Sequence, residues 1–137
     1  MKKIGYTSGV FDLFHVGHLN ILRRAKMECD YLVVAITTDE LAEEKLGKGL
    51  VIPFEERMEI VQHIDFVDEV VPQTNMNKLN AYNHIKFDKM FVGGDWKGSK
   101  EWASIEKTFK QLNVEIVYFP YTKHTSSSKL RSALDRL

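Results

Sequence analysis

Apolar residues recur along the chain with two alternating periods. Short runs rich in β-branched and aromatic residues fall at 4–8, 31–36, 69–72, 89–93 and 114–119, and stretches of helical length lie between them. In "GHLNILRRAKME" (17–28) Leu19, Ile21, Leu22, Ala25 and Met27 sit at roughly helical spacing and predict the first helix. The run "YLVVAI" that follows has no polar alternation, as expected of a strand covered on both faces of a sheet. Thr38, with Glu40 soon after, is placed to cap a second helix through about 45; "LGKGLV" interrupts, and Pro53 opens a third helix carrying "FEERMEIVQHI". Further helices are predicted near 77–85, over 99–112 and from 126 onward. Strands alternating with helices in this way predict an α/β fold. The expected architecture is a single-domain, Rossmann-like, doubly wound parallel sheet of about five strands with flanking helices, covering 1–137.

Bulk properties narrow the class of function. A chain of 137 residues supports one domain, and nineteen basic against nineteen acidic side chains give zero formal net charge. Wholesale binding of nucleic acid or of an anionic membrane is therefore not expected, and any anion has to be held locally. One cysteine, Cys29, cannot close an internal disulfide, the start "MKKIGYTSGVFD" lacks the apolar core of a signal peptide, and no apolar run approaches the ~20 residues that span a bilayer. The expected location is cytoplasmic.

Open parallel sheets bind ligands beyond the carboxyl ends of their strands, so the loops that follow strands carry the chemistry. Three combine small residues, hydroxyls or cations with the start of a helix: "SGVFDLFHVGH", "GGDWKGSKEW" and "PYTKHTSSSKLR". Helix starts of this kind present free N–H groups and a positive dipole end, which suits a phosphate-rich ligand. Neither a G-x-G-x-x-G fingerprint nor a G-x-x-x-x-G-K-[ST] loop is present, which argues against a nicotinamide enzyme or a P-loop kinase. His15 and His18, separated by Val16 and Gly17 within one turn, can donate hydrogen bonds to phosphoryl oxygens without the bulk of lysine. Two other readings of the pair are helix capping with core contacts, and half of a zinc site; the single cysteine and the lack of a further ligand cluster weigh against zinc.

"GVFDLFHVGH" resembles the signature of the HxGH nucleotidyltransferase superfamily, in its cytidylyltransferase branch. The likeness to glycerol-3-phosphate cytidylyltransferases of bacterial wall-polymer synthesis continues through "GHLNILRRAK", "DYLVVAITTDE", "FVDEVVP", "GGDWKG" and "TSSSKL". The resemblance implies transfer of a nucleoside monophosphate from CTP to a phosphorylated alcohol with release of pyrophosphate, glycerol 3-phosphate being the first acceptor to consider. It implies nucleotide-bound Mg2+ with no metal ligands from the protein, and a homodimer. His15, His18 and Lys48 are then the expected catalytic residues. Gly9, Val10, Phe11, Gly17, Arg57, Asp95, Tyr121, Thr122, Thr125, Ser126, Ser127 and Ser128 join the two histidines at the nucleotide, and Asp12, Lys45, Lys48 and Trp96 face the acceptor. Each has a plainer reading beside it: Phe11 as packing, Asp12 as a loop anchor, the serines as a helix cap, the lysines as solvated surface. Thr38 and Asp39 are assigned to helix capping and a solvated face.

Departures from the family pattern concern charge. Tyr121 stands where these enzymes carry an arginine, His124 where they carry a glycine, Asp65 where an arginine is frequent, and Val10 in place of a threonine. An arginine fork holds phosphate in a way tyrosine or aspartate does not, and Arg131, Lys123 or His124 are the candidates to replace the missing charge. Two alternatives follow: an adenylyltransferase using ATP with a sugar phosphate or another phosphorylated acceptor, and a non-catalytic nucleotide-binding module.

Overall fold

The computed structural model describes residues 2–47, 50–94, 98–120 and 127–136, apart from the side chain of Ser128. The strands are β1 (Ile4–Gly9), β2 (Tyr31–Thr37), β3 (Glu69–Gln73), β4 (Lys89–Gly93) and β5 (Glu115–Phe119). The helices are α1 (Val16–Met27), α2 (Asp39–Leu46), α3 (Phe54–Gln62), α4 (Lys78–Ile85), α5 (Lys100–Gln111) and α6 (Ser127–Asp135). The strands form one parallel sheet in the order β3-β2-β1-β4-β5. This is the doubly wound arrangement the alternation of periods predicts, and element ends differ from the expected ones by one or two residues.

The inner strand β2 shows why its sequence has no polar face. Leu32, Val34 and Ile36 point to one side, where Leu22 and Ala25 of α1 and Val61 of α3 close over them together with Phe91 and Phe119. Val33 and Ala35 point to the other side, where Tyr6, Phe87, Met90, Trp102, Phe109 and Val114 form a second cluster covered by α4 and α5. Each strand position thus loses water on its own face, and burial of a large aliphatic side chain contributes about 1.5–3 kcal/mol. Gly5 in β1 is required by this packing: a Cβ there would lie 2.6 Å from the ring of Phe91 and 2.7 Å from Cys29 Sγ. The outer edges carry Glu69 and Pro72 on β3 and Glu115 on β5, all exposed.

Helix starts obey their capping residues. Thr38 Oγ1, Asn77 Oδ1 and Ser99 Oγ accept from the backbone of Leu41, Asn80 and Trp102. Pro53 occupies the N-cap of α3 and offers no side-chain acceptor. Asp39 supplies one instead, its Oδ2 accepting from Phe54 N at 3.1 Å. Asp39 is therefore not simply part of a solvated face, and its other oxygen is engaged by Arg57.

The sheet reverses direction between β1 and β4. The chain runs outward from β1 through β2 to β3, then crosses back to β4 on the far side of β1. Loops leaving β1 and β4 diverge at this point, which opens the crevice where such sheets take ligands.

Candidate active site

The turn between β1 and α1 is held in an unusual backbone conformation. Phe11 and Leu13 both have left-handed φ, +55° and +52°, a region that costs a residue with a Cβ on the order of 1 kcal/mol or more. Burial of Phe11, 8 % exposed and part of the α1/α3 core, offsets that cost. Gly9 makes room for it, since a Cβ there would stand 2.8 Å from the Phe11 ring. The sequence assigns Gly9 and Phe11 to the nucleotide; the structure places Phe11 in the core and Gly9 against it, so both shape the turn from behind.

The two imidazoles interlock at the start of α1. His15 is the N-cap, its Nδ1 accepting from Gly17 N at 2.9 Å, while His18 Nδ1 accepts from His15 N at 3.2 Å. The rings lie 4.0 Å apart, and His18 is flanked by Phe11 and Phe14. Burial lowers the pKa of both; that of His18 falls to about 4, with His15 adding to the fall and the Asp12 charge opposing it. Both rings are therefore neutral at pH 7. A neutral ring whose Nδ1 accepts carries its proton on Nε2, so the capping bonds set the tautomer and leave two Nε2–H donors for a ligand. The capping reading and the phosphate-donor reading of the pair use different nitrogens and are compatible.

Asp12 is fully committed to protein. It is 2 % exposed; its Oδ2 accepts from Val51 N at 3.0 Å and Arg131 Nη2 at 2.7 Å, and Oδ1 accepts from Ile52 N at 2.8 Å. Burial alone would raise its pKa, but the bonds from Val51, Arg131 and Ile52 and the charge of Arg131 hold it below the ordinary value. Ser127 Oγ donates to the Asp12 carbonyl at 2.6 Å. Asp12, expected at the acceptor, and Ser127, expected at the nucleotide, thus meet in a junction between the turn, residues 51–52 and α6.

Arg57, expected at the nucleotide, is likewise engaged by protein groups. Its side chain has no exposure. Nε donates to Ile52 O, Nη1 to Val10 O and Thr37 O, and Nη2 to Asp39 Oδ1, at 2.6–2.9 Å. Four bonds from five donors leave little for a ligand, and the Val10 carbonyl is used up as well. Arg57 fixes the ends of β1 and β2 and holds the 51–52 segment through the Ile52 carbonyl. Lys45 is exposed in the last turn of α2, ahead of Gly47, whose φ of +71° ends the helix. Gly17 is buried in the first turn of α1. Lys48, Asp95, Trp96, Tyr121, Thr122, Thr125 and Ser126, with the side chain of Ser128, lie outside the described residues.

One cation near the crevice is not singled out by the sequence pattern. Lys78, the first residue of α4, reaches the end of β1 and its Nζ donates to Ser8 Oγ at 2.9 Å. Burial pushes its pKa down to about 8, and among the described residues no carboxylate pairs with it. Its one visible sign in the sequence is a lysine at a helix start, which ordinarily means a solvated surface.

The cytidylyltransferase-like family matches residues 6–133. The glycerol-3-phosphate cytidylyltransferase of Bacillus subtilis is 38 % identical over 136 residues, covering 98 % of both chains. An FAD synthase of Thermococcus sibiricus is 30 % identical over 132 residues, covering 96 % of this chain and 89 % of its own. The fold is also that of the lipopolysaccharide core biosynthesis protein of Thermoplasma volcanium, at a TM-score of 0.74 and 22 % identity over 91 % of this chain and all of the other. With its two interlocked imidazoles at the switch point of a doubly wound sheet, the chain belongs to the cytidylyltransferase-like family and is a nucleotidyltransferase.

Proposed function

We propose that the chain transfers CMP from CTP to glycerol 3-phosphate, with loss of pyrophosphate, and that it acts in the cytoplasm as a homodimer. The observation that carries this reading is the pair of neutral imidazoles whose Nδ1 atoms are capped by backbone and whose Nε2–H groups remain available. The full-length relatedness to a glycerol-3-phosphate cytidylyltransferase supplies the choice of substrates.

A phosphate monoester has its second pKa near 6, so at neutral pH its oxygen attacks without a strong general base. The new bond joins that oxygen to the α-phosphorus of CTP, the bond from the α-phosphorus to the bridging oxygen breaks, and pyrophosphate leaves with that electron pair. What the protein has to supply is in-line placement of two anions and stabilisation of charge on the α-phosphoryl and departing oxygens. The two Nε2–H donors and the free N–H groups at the start of α1 serve this role. The α6 start, anchored to the turn by Ser127, is assigned to the β- and γ-phosphates. Lys78 and Lys45 serve the acceptor phosphate. Lys78 suits that task because among the described residues its desolvated ammonium has a hydroxyl, Ser8 Oγ, rather than a carboxylate as partner. Mg2+ is proposed to arrive as the counter-ion of the triphosphate, bound by phosphate and water oxygens; Asp12 is not a candidate ligand, since its carboxylate is buried and already accepts from three protein donors.

The FAD synthase relative favours a second reading, adenylyl transfer from ATP, because its product carries an adenine nucleotide. Pyrophosphate release measured with CTP and with ATP, across glycerol 3-phosphate and a panel of polyol and sugar phosphates, separates the two. Turnover is expected with CTP and glycerol 3-phosphate. A preference for ATP supports the second reading, and thermal stabilisation by triphosphate with no turnover on any acceptor would leave a binding module.

A further inference from the structure

We propose that Arg131 is a positioning residue for nucleotidyl transfer: from α6 it holds the Asp12 carboxylate and thereby locks the histidine turn, residues 51–52 and the start of α6 into one arrangement. The inference rests on the transfer reaction proposed above and concerns how the parts of that site are kept together.

Three segments distant in sequence meet at Asp12. Its own main chain belongs to the turn between β1 and α1; the N–H groups of Val51 and Ile52 come from the segment ahead of α3; Arg131 and Ser127 come from α6. Arg131 lies 119 positions from Asp12, and its 2.7 Å ion pair is the charged contact of this junction. Its side chain is 17 % exposed, and Nε is buried without a hydrogen-bond partner among the described residues. A buried N–H without a partner is unfavourable, so the side chain is held for Asp12 at the expense of its own full satisfaction.

Charge gives the second reason. Asp12 stays ionised, and its field reaches His18. Left unpaired, this carboxylate would place a negative charge behind the two rings that have to receive a triphosphate. It would also favour protonation of His18 and so work against the neutral tautomer. Among the described residues the groups facing His18 are His15, Phe11, Phe14 and Asp12, so the Asp12 charge is the anionic influence there that Arg131 has to cancel. Arg131 is thus suited to keep the turn receptive to anions while fastening it to the two segments expected to touch them.

The test compares Arg131→Met, Arg131→Lys, Asp12→Asn and the double variant Asp12→Asn/Arg131→Met. The readouts are kcat and KM for CTP, CTP affinity by calorimetry without acceptor, and the His18 imidazole titration by NMR. Arg131→Met is expected to lose on the order of 30-fold in kcat/KM, through both constants, and to raise the His18 pKa. Arg131→Lys should recover part of the loss because charge is kept and the fork is not. The double variant should lose no more than the worse single one, and its His18 should titrate near the native value, since the partners act as a unit. Wild-type kcat/KM within threefold together with an unmoved His18 titration in Arg131→Met, or additive losses in the double variant, would overturn the proposal. If Arg131→Met does not fold, the other two single variants decide: intermediate kinetics support it, and wild-type kinetics in both refute it. Absence of pyrophosphate from wild type with every acceptor would instead refute the transfer reaction, while CTP affinity and the His18 titration still decide the role of Arg131.

Discussion

Replacing His18 by asparagine separates the two jobs of that ring. An asparagine Oδ1 stands close to the position of an imidazole Nδ1, so it can take over the 3.2 Å bond from His15 N that closes the start of α1. Nothing in asparagine reaches the position of Nε2. The fold should therefore lose only the ring contacts with Phe11, Phe14 and His15, on the order of 1 kcal/mol, against a 3.2 Å cap bond that is itself a modest contributor. The rate should fall by about 10²–10³, the loss found when one donor to a developing oxyanion is removed. Urea denaturation and pyrophosphate release on the same preparation measure the two quantities. Because the folded His18 has its pKa near 4, the acid limb of the wild-type rate profile should follow the acceptor phosphate, near pH 6, rather than a histidine. Turnover of His18→Asn within a few-fold of wild type, with the fold intact, would show that the ring is only a cap. His18→Ala is less informative, because cap and donor go together.

Three further outcomes follow from the packing. Arg57→Met should destabilise the protein by about 3–5 kcal/mol, measured by denaturant titration, since it leaves three carbonyls and the Asp39 carboxylate without their buried partner; a loss under 1 kcal/mol would mean that the clamp is not rigid. Gly9→Ala pushes a methyl to 2.8 Å from the Phe11 ring and should cost about 1–3 kcal/mol, with a drop in turnover as the histidine turn shifts; unchanged melting and activity would show that Phe11 has room to yield. Lys78→Met removes a desolvated ammonium that no carboxylate among the described residues balances, so the melting temperature should hold or rise while KM for the acceptor increases at least tenfold. A lower melting temperature with unaltered KM would make Lys78 a structural residue.

The architecture was readable because each strand and helix is specified by neighbours in sequence: "YLVVAI" is apolar on both faces, and Thr38 and Ser99 sit directly ahead of the helices they cap. The histidine turn was readable for the same reason, four residues spanning one helix start. Roles that depend on distant partners were not. Arg57 reads as an anion contact and Lys78 as a solvated lysine until the fold brings Val10, 47 positions away, and Ser8, 70 positions away, against them. Asp12 reads as an acceptor contact or a loop anchor and Asp39 as part of a cap and a solvated face, and the backbone N–H groups of Val51, Ile52 and Phe54 tie both to the scaffold. Sequence spacing predicts what a residue can reach along one element, whereas burial of a charge is decided by what arrives across the sheet.

The borders of the sheet bear on how copies of this protein meet. Pro72 on β3 lacks an N–H, and Glu69 and Glu115 place exposed carboxylates at the first residues of the two outermost strands. A neighbour trying to extend the ladder as a further strand finds a missing donor on one side and anionic charge on both. Association in a crowded solution is thereby steered toward contacts between side chains, and open-ended stacking of strands into fibres is discouraged without any change to the catalytic crevice.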